Sequence, residues 1–251
     1  MAQLKDKVAV VTGGARDIGR QVSLALAAEG AKVAINYYDN ETDAKETVAM
    51  IAAAGGTAVM VQGDMTKFAD CQRLVAETQK AFGPSVDILV NVAGGLMGRH
   101  PIVEMEESFW DAVMNVNLKS VFFVCKAVIP HLKDGGAIVN FSTQAAHDGG
   151  GPGAIAYAAA KSGVLAFTRG LAKELSPKKV RVNAVSPGMI NTTFHNTFTK
   201  PEVRQRVASM TPLGREGEAR EVADLVLFLA SERASFINGE TVQINGGVFF
   251  A

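Results

Sequence analysis

Tyr157 and Lys161 end the block YAAAK four residues apart, a spacing that puts a phenol and an ammonium on one face of a helix. A free tyrosine titrates at about 10, too weak an acid to protonate a developing alkoxide rapidly near neutral pH. A neighbouring ammonium favours the phenolate and lowers that value. The pair is therefore expected to be a tuned proton donor. At the other end of the chain, TGGARDIGR follows the apolar run VAVVT and opens a helical stretch. In that setting a glycine turn aims the free N–H groups of a helix start at a pyrophosphate.

These groups need a scaffold, and short β-branched runs alternate with longer amphipathic stretches throughout the chain. VAVVT, VAIN, TAVMV, DILVNVAG, AIVNFS, RVNAVSPG and TVQIN read as strands. Between them, helices are predicted from about Ile18 to Glu29, Ala44 to Ala54, Ala69 to Phe82, Phe109 to Leu132, Tyr157 to Leu175 and Ala219 to Leu229. Such alternation implies a parallel sheet covered on both faces. Gly30 and Gly55 follow the first two helices, and Pro130 and Pro177 fall near the ends of later ones, in keeping with helix punctuation. The segment from Asn191 to about Arg215 shows no clear period and reads as an irregular loop that closes over a substrate.

With 251 residues, the length suits one α/β domain, residues 1–251. Lysine plus arginine number 25 and aspartate plus glutamate number 25, with no long like-charge block, which argues against nucleic acid and membrane partners. Cys71 and Cys125 are the two cysteines and have no metal-ligand spacing, so neither a metal site nor a disulfide framework is expected. The first apolar run is too short for a signal or membrane segment, and a cytoplasmic protein is expected.

The motifs TGGARDIG, Asp64, NVAG at Asn91 to Gly94, Asn117, YAAAK and SPGMINT at Ser186 to Thr192 occur in this order over most of the chain. Together they resemble the short-chain dehydrogenases/reductases. The resemblance implies a single-domain, Rossmann-type, doubly wound parallel sheet, a nicotinamide cofactor, no catalytic metal and a homotetramer. It implies that the cofactor meets Gly13, Arg16, Asp17, Ile18 and Gly19 in the turn, then Asn36, Tyr37, Asp64, Asn91, Ala93 and Gly94. Pro187, Gly188, Ile190 and Thr192 would border the nicotinamide, with Lys161 on its ribose and Tyr157 also in contact with the cofactor. Tyr157 would be the general acid and Asn117 would hold a water beside Lys161, with Asn115 as the other candidate. Where the family has a serine, this chain aligns Thr143, with Ser142 in reserve. Asp17 replaces the middle glycine of the turn and is expected to cap N–H groups of its own helix, turned away from the phosphates. Asn36-Tyr37-Tyr38 takes the place of the acidic residue common in NAD-specific relatives, which with Arg16 favours NADP(H); Asp39 keeps NAD(H) open.

Arg99, Gln144, His147, Asn191 and His195, with His100, are expected to border the substrate. This polar set suggests a small polar ketone or aldehyde, with arginine and histidines pairing a carboxylate as in a 4-deoxy-5-keto uronate. The overall pattern is also similar to 3-oxoacyl carrier-protein reductases. A non-catalytic NADP(H)-binding regulator is the alternative from another class.

Overall fold

In a computed structural model of the chain, which describes residues 3–250, the apolar runs form seven strands of one sheet. They are β1 (Val8–Thr12), β2 (Lys32–Tyr37), β3 (Thr57–Gln62), β4 (Val86–Asn91), β5 (Leu132–Phe141), β6 (Arg181–Pro187) and β9 (Thr241–Ile244). All pair in parallel in the order β3-β2-β1-β4-β5-β6-β9. The order reverses between β1 and β4, where neighbouring loops leave the sheet in opposite directions and open a crevice at the carboxyl ends of the strands. β7 (Ile190–Asn191) and β8 (Gly217–Glu218) form a separate two-stranded ladder beside that crevice.

The helices are α1 (Asp17–Ala28), α2 (Glu41–Ala53), α3 (Phe68–Phe82), α4 (Glu107–Met114), α5 (Ser120–Val128), α6 (Ala145–Asp148), α7 (Ile155–Glu174), α8 (Thr193–Phe198), α9 (Pro201–Met210) and α10 (Ala219–Ala230). Strand alternation divides the core between two faces. In β1, Ala9 and Val11 join Val22 and Leu26 of α1 and Val222, Val226 and Leu229 of α10. Val10 points the other way, to Leu74 of α3, Val124 of α5 and Val164 of α7. Each fully buried Leu or Val contributes roughly 1.5–3 kcal/mol relative to exposure, so the sheet that carries the crevice is held rigidly from both sides.

Two elements differ from the sequence reading. The helical run through 107–131 is continuous but contains a π turn at Asn115–Lys119, which joins α4 to α5 and bears Asn117. By length and composition this run could cross a membrane, yet Val121, Val124, Cys125 and Val128 pack into the sheet core. The segment after Asn191 is helical rather than irregular, being built from α8 and α9. Neither helix buries a residue fully, which explains the missing period, and Pro201 sits at the first turn of α9 where its lost N–H costs nothing. Arg204 of α9 anchors the segment by pairing with Glu216 and donating to Asn191 Oδ1 at 3.0 Å.

Candidate functional site

The crevice is a cleft of about 960 Å³, and the glycine turn forms one end of it. Gly13 has φ +62°, and a Cβ there would stand 3.1 Å from the backbone of Ala93. A Cβ on Gly19 would fall 2.0 Å from the Gly13 carbonyl oxygen. Turn and helix therefore close tightly, leaving the Gly13, Arg16, Ile18 and Gly19 surface open to the cleft. Asn36 fixes this geometry from β2: its Oδ1 accepts from Gly13 N–H at 3.3 Å, and its Nδ2 donates to the Gly63 carbonyl at 3.0 Å. Tyr37, Tyr38, Asp39 and Asp64 continue the wall. Asp64 Oδ1 accepts from Thr66 N–H at 2.9 Å and from its hydroxyl at 2.7 Å. Asn91 lies in the sheet rather than on the cleft wall, where Nδ2 donates to Asn140 Oδ1 at 2.9 Å.

Asp17 does not cap its own helix, the role that sequence reasoning gave it. It takes the left-handed φ of +49° at the first residue of α1, and its carboxylate accepts from the backbone N–H of Thr193 at 3.0 Å and from the Thr193 hydroxyl. Arg16 beside it is 63% exposed at the cleft rim, with Nε 3.9 Å from the carboxylate.

Lys161, Tyr157 and Thr143 meet in the middle of the cleft. α7 presents Tyr157 and Lys161 on one face, and the Lys161 ammonium lies 6.0 Å from the centre of the Tyr157 ring. Its Nζ donates to the Phe141 carbonyl at 2.8 Å. The environment moves the two groups in directions that composition alone does not reveal. Burial pushes the Tyr157 phenol up to about 12, opposed by a hydrogen bond with Thr143. Burial also pushes Lys161 down to about 8. The net lowering of the phenol predicted from the four-residue spacing is not found: burial dominates, and the lowering contribution comes from Thr143 rather than from Lys161. Tyr157 thus rests as a phenol with its proton available.

Ser142 and Thr143 separate clearly. Both border the cleft, but the Ser142 hydroxyl is buried and donates to the Lys161 carbonyl at 3.1 Å, whereas the Thr143 hydroxyl bonds with Tyr157. Asn117, buried in the π turn, accepts from Gly95 N–H at 2.9 Å and donates to the Gly95 carbonyl at 2.8 Å. A Cβ on Gly94 would lie 2.8 Å from Asn117 Oδ1 and 3.0 Å from Lys161 Nζ, so only glycine leaves room here. The Gly94–Gly95 backbone and its Asn117 lock carry no motif of their own beyond NVAG.

At the substrate end, Arg99, Gln144 and His195 line the cleft, while His100, His147 and Asn191 do not. His147 hydrogen-bonds Gln243 through Nε2 at 2.9 Å and packs on Phe249; His100 stacks on Phe109 with ring centres 4.1 Å apart. Burial, with Arg204 nearby, pushes His195 down to about 4, so it is neutral near pH 7 and offers no cation to a carboxylate. Arg99 donates to the Pro152 carbonyl at 3.1 Å and pairs with no acidic side chain among the described residues. Phe194 and Phe198 of α8, unmarked by sequence reasoning, form an aromatic wall with Leu96 and Met97; the Phe194 ring centre is 6.3 Å from that of Tyr157. Their four-residue spacing was the available signal. Pro187, Gly188, Ile190 and Thr192 edge the cleft below α8.

Residues 13–249 match the family model described as Enoyl-(Acyl carrier protein) reductase. A 3-oxoacyl-[acyl-carrier-protein] reductase of Staphylococcus epidermidis is 37% identical over 97% of this chain and 99% of its own length. A dehydrogenase/reductase structure from Sinorhizobium meliloti superposes with a TM-score of 0.94 at 33% identity, covering 99% of this chain and 97% of that one. A blue fluorescent protein from a metagenomic library, solved in complex with NADPH, superposes with a TM-score of 0.92 at 33% identity, covering 99% and 100% of the two chains.

Proposed function

Because the chain belongs to the short-chain dehydrogenase/reductase family and is an NAD(P)-dependent oxidoreductase, we propose that it is an NADP(H)-preferring carbonyl reductase for a small ketone or aldehyde bearing a carboxylate, of the keto sugar acid type. The observation that carries the substrate class is Arg99, a guanidinium on the same cleft as Tyr157 that pairs with no carboxylate among the described residues. A planar guanidinium takes a carboxylate in two parallel hydrogen bonds.

The residues present fit the cofactor: the Gly13–Gly19 turn is closed so tightly that its backbone can approach phosphate, and Gly94 is kept bare beside Lys161. When bound, the cofactor supplies or accepts a hydride. Thr143 and Tyr157 donate hydrogen bonds to the carbonyl oxygen, and Tyr157 transfers its proton as negative charge develops there. Lys161, held by the Phe141 carbonyl, stabilises the phenolate that remains and bonds the nicotinamide ribose. Asn117 braces the Gly95 backbone that walls this end and is assigned the proton-relay position next to Lys161. On this assignment Thr143→Val lowers kcat by about 10²-fold, the usual cost of removing an oxyanion donor. Ser142→Ala costs about 1 kcal/mol of stability through the lost bond to Lys161 and leaves kcat nearly intact. Steady-state kinetics beside thermal melts separate the two.

NADP(H) preference is supported by Arg16 at the rim and by Tyr37 in place of an acidic residue. Arg16→Ala is expected to raise KM for NADPH by about tenfold and to leave KM for NADH nearly unchanged, since only the 2′-phosphate distinguishes them. Equal effects on both cofactors would remove this assignment. A homotetramer in the cytoplasm completes the proposal, checked by a light-scattering mass of four chains.

The apolar wall of Leu96, Met97, Phe194 and Phe198 favours a second reading, a 3-oxoacyl thioester, and the Staphylococcus relative supports it. NADPH oxidation with a 4-deoxy-5-keto uronate and with a short 3-oxoacyl thioester, run side by side, decides between them. For the first reading, Arg99→Ala lowers kcat/KM on the carboxylated substrate by at least about tenfold, the value of one charge-assisted contact. A loss below about threefold would count against the pairing.

A further inference from the structure

The structure assigns Asp17 as a positioning residue that clasps the substrate lid, α8 and α9, to the phosphate turn. Several observations meet at this one carboxylate. Asp17 occupies a backbone position with φ +49°, which glycine takes without strain and which few other residues adopt. Its two oxygens accept from the backbone N–H and the hydroxyl of Thr193, 176 residues further along the chain. Thr193 begins α8, whose Phe194 and Phe198 wall the cleft over Tyr157.

A glycine would relieve the backbone but leave nothing to reach the lid. Both carboxylate oxygens are engaged by donors of Thr193. α9 and the end of α8 have a second tether, in which Arg204 pairs with Glu216 and donates to Asn191 and Asn196. Asp17 is therefore the tether at the cofactor end and Arg204 the tether at the far end. Any displacement of the turn by a bound cofactor is transmitted to α8 through Thr193, and an open lid loosens the turn in return.

The kinetic consequence rests on the nicotinamide reading of the cleft, whereas the clasp itself is present in the ligand-free protein and is tested there. The experiment is limited trypsin digestion of the native full-length protein, following cleavage in the lid at Arg204 and Arg206 by mass spectrometry; the Lys200–Pro201 bond resists trypsin. Asp17→Gly should speed lid cleavage by about tenfold and Thr193→Ala, which keeps the backbone N–H bond, by a smaller factor, with cleavage elsewhere in the chain unchanged, because only local opening is released. Asp17→Asn, which retains one acceptor oxygen for the Thr193 N–H, should fall between Asp17→Gly and the parent. The double variant Asp17→Gly/Thr193→Ala should cleave no faster than Asp17→Gly alone, since that substitution already removes both bonds to Thr193. NADPH should slow lid cleavage more strongly in the parent than in Asp17→Gly. Lid cleavage within about twofold of the parent in both single variants, or effects that multiply in the double variant, overturns the clasp. Protection by NADPH that is equal with and without Asp17 overturns the coupling. If Asp17→Gly does not fold, Thr193→Ala tests the same bond from the lid side.

Discussion

Tyr157→Phe is expected to lower kcat/KM for carbonyl reduction by about 10²–10⁴-fold while leaving NADPH affinity and melting temperature close to those of the parent. The substitution removes one oxygen and no ring, so the packing of Tyr157 against Phe194 persists. What is lost is the proton that the alkoxide must receive. Burial holds this phenol at about 12, protonated throughout the working pH range, and Lys161 is charged below about 8. The resting site is consequently a neutral acid beside a cation, which favours donation once a carbonyl oxygen accumulates charge. Most of the cofactor-binding wall lies on other residues, so fluorescence titration with NADPH separates this loss of chemistry from a loss of binding. A Tyr157→Phe protein that retained more than a tenth of parental kcat/KM would show that water or Thr143 delivers the proton.

The β1–turn–α1 unit was legible in the sequence because three signals coincide within twenty residues: an apolar run, a glycine turn and a helical period. The parallel sheet follows from the same alternation, whereas its doubly wound strand order was legible through the family resemblance. α9 was illegible for the opposite reason. Its sequence PEVRQRVASM buries no side chain, so no apolar period marks it, and its position is fixed by Arg204 reaching residues brought close only by the fold.

The candidate site divides along the same line. The shared face of Tyr157 and Lys161 follows from four-residue spacing, and so would the Phe194–Phe198 pair have done. Spacing has no information about desolvation, which is why the direction of the Tyr157 shift needed the surrounding protein atoms. The histidines show the same limit. Polar residue type placed His147 and His195 at a substrate carboxylate, but a contact with Phe249 takes one away and burial leaves the other uncharged. Asp17 is the clearest case, since nothing periodic connects it with a threonine 176 positions later.

Lys161→Met should show opposite effects on activity and stability. Activity falls by about 10²-fold or more, because the cation that stabilises the Tyr157 phenolate and holds the ribose is gone. Stability at pH 7 rises. In the folded chain burial lowers Lys161 from 10.5 to about 8, so between these values the unfolded chain binds more protons than the folded one. Parental stability consequently climbs with pH across that window, and below about 8 the folded state carries the full cost of a buried ammonium. A shift of this size corresponds to roughly 3 kcal/mol, against which the bond from Nζ to the Phe141 carbonyl restores about 1–2 kcal/mol. Methionine fills similar volume without the charge, so a net gain of about 1–2 kcal/mol at pH 7 is expected. Above about pH 10.5 the burial cost is gone from the parent, and the variant should become the less stable protein by the value of the lost bond. Urea unfolding of both proteins at pH 7, 9 and about 10.5 reads the difference directly, with the other titrating groups common to both. A constant stability difference across that range would mean that Lys161 titrates outside it, and that its ammonium is already solvated or paired in the resting cleft.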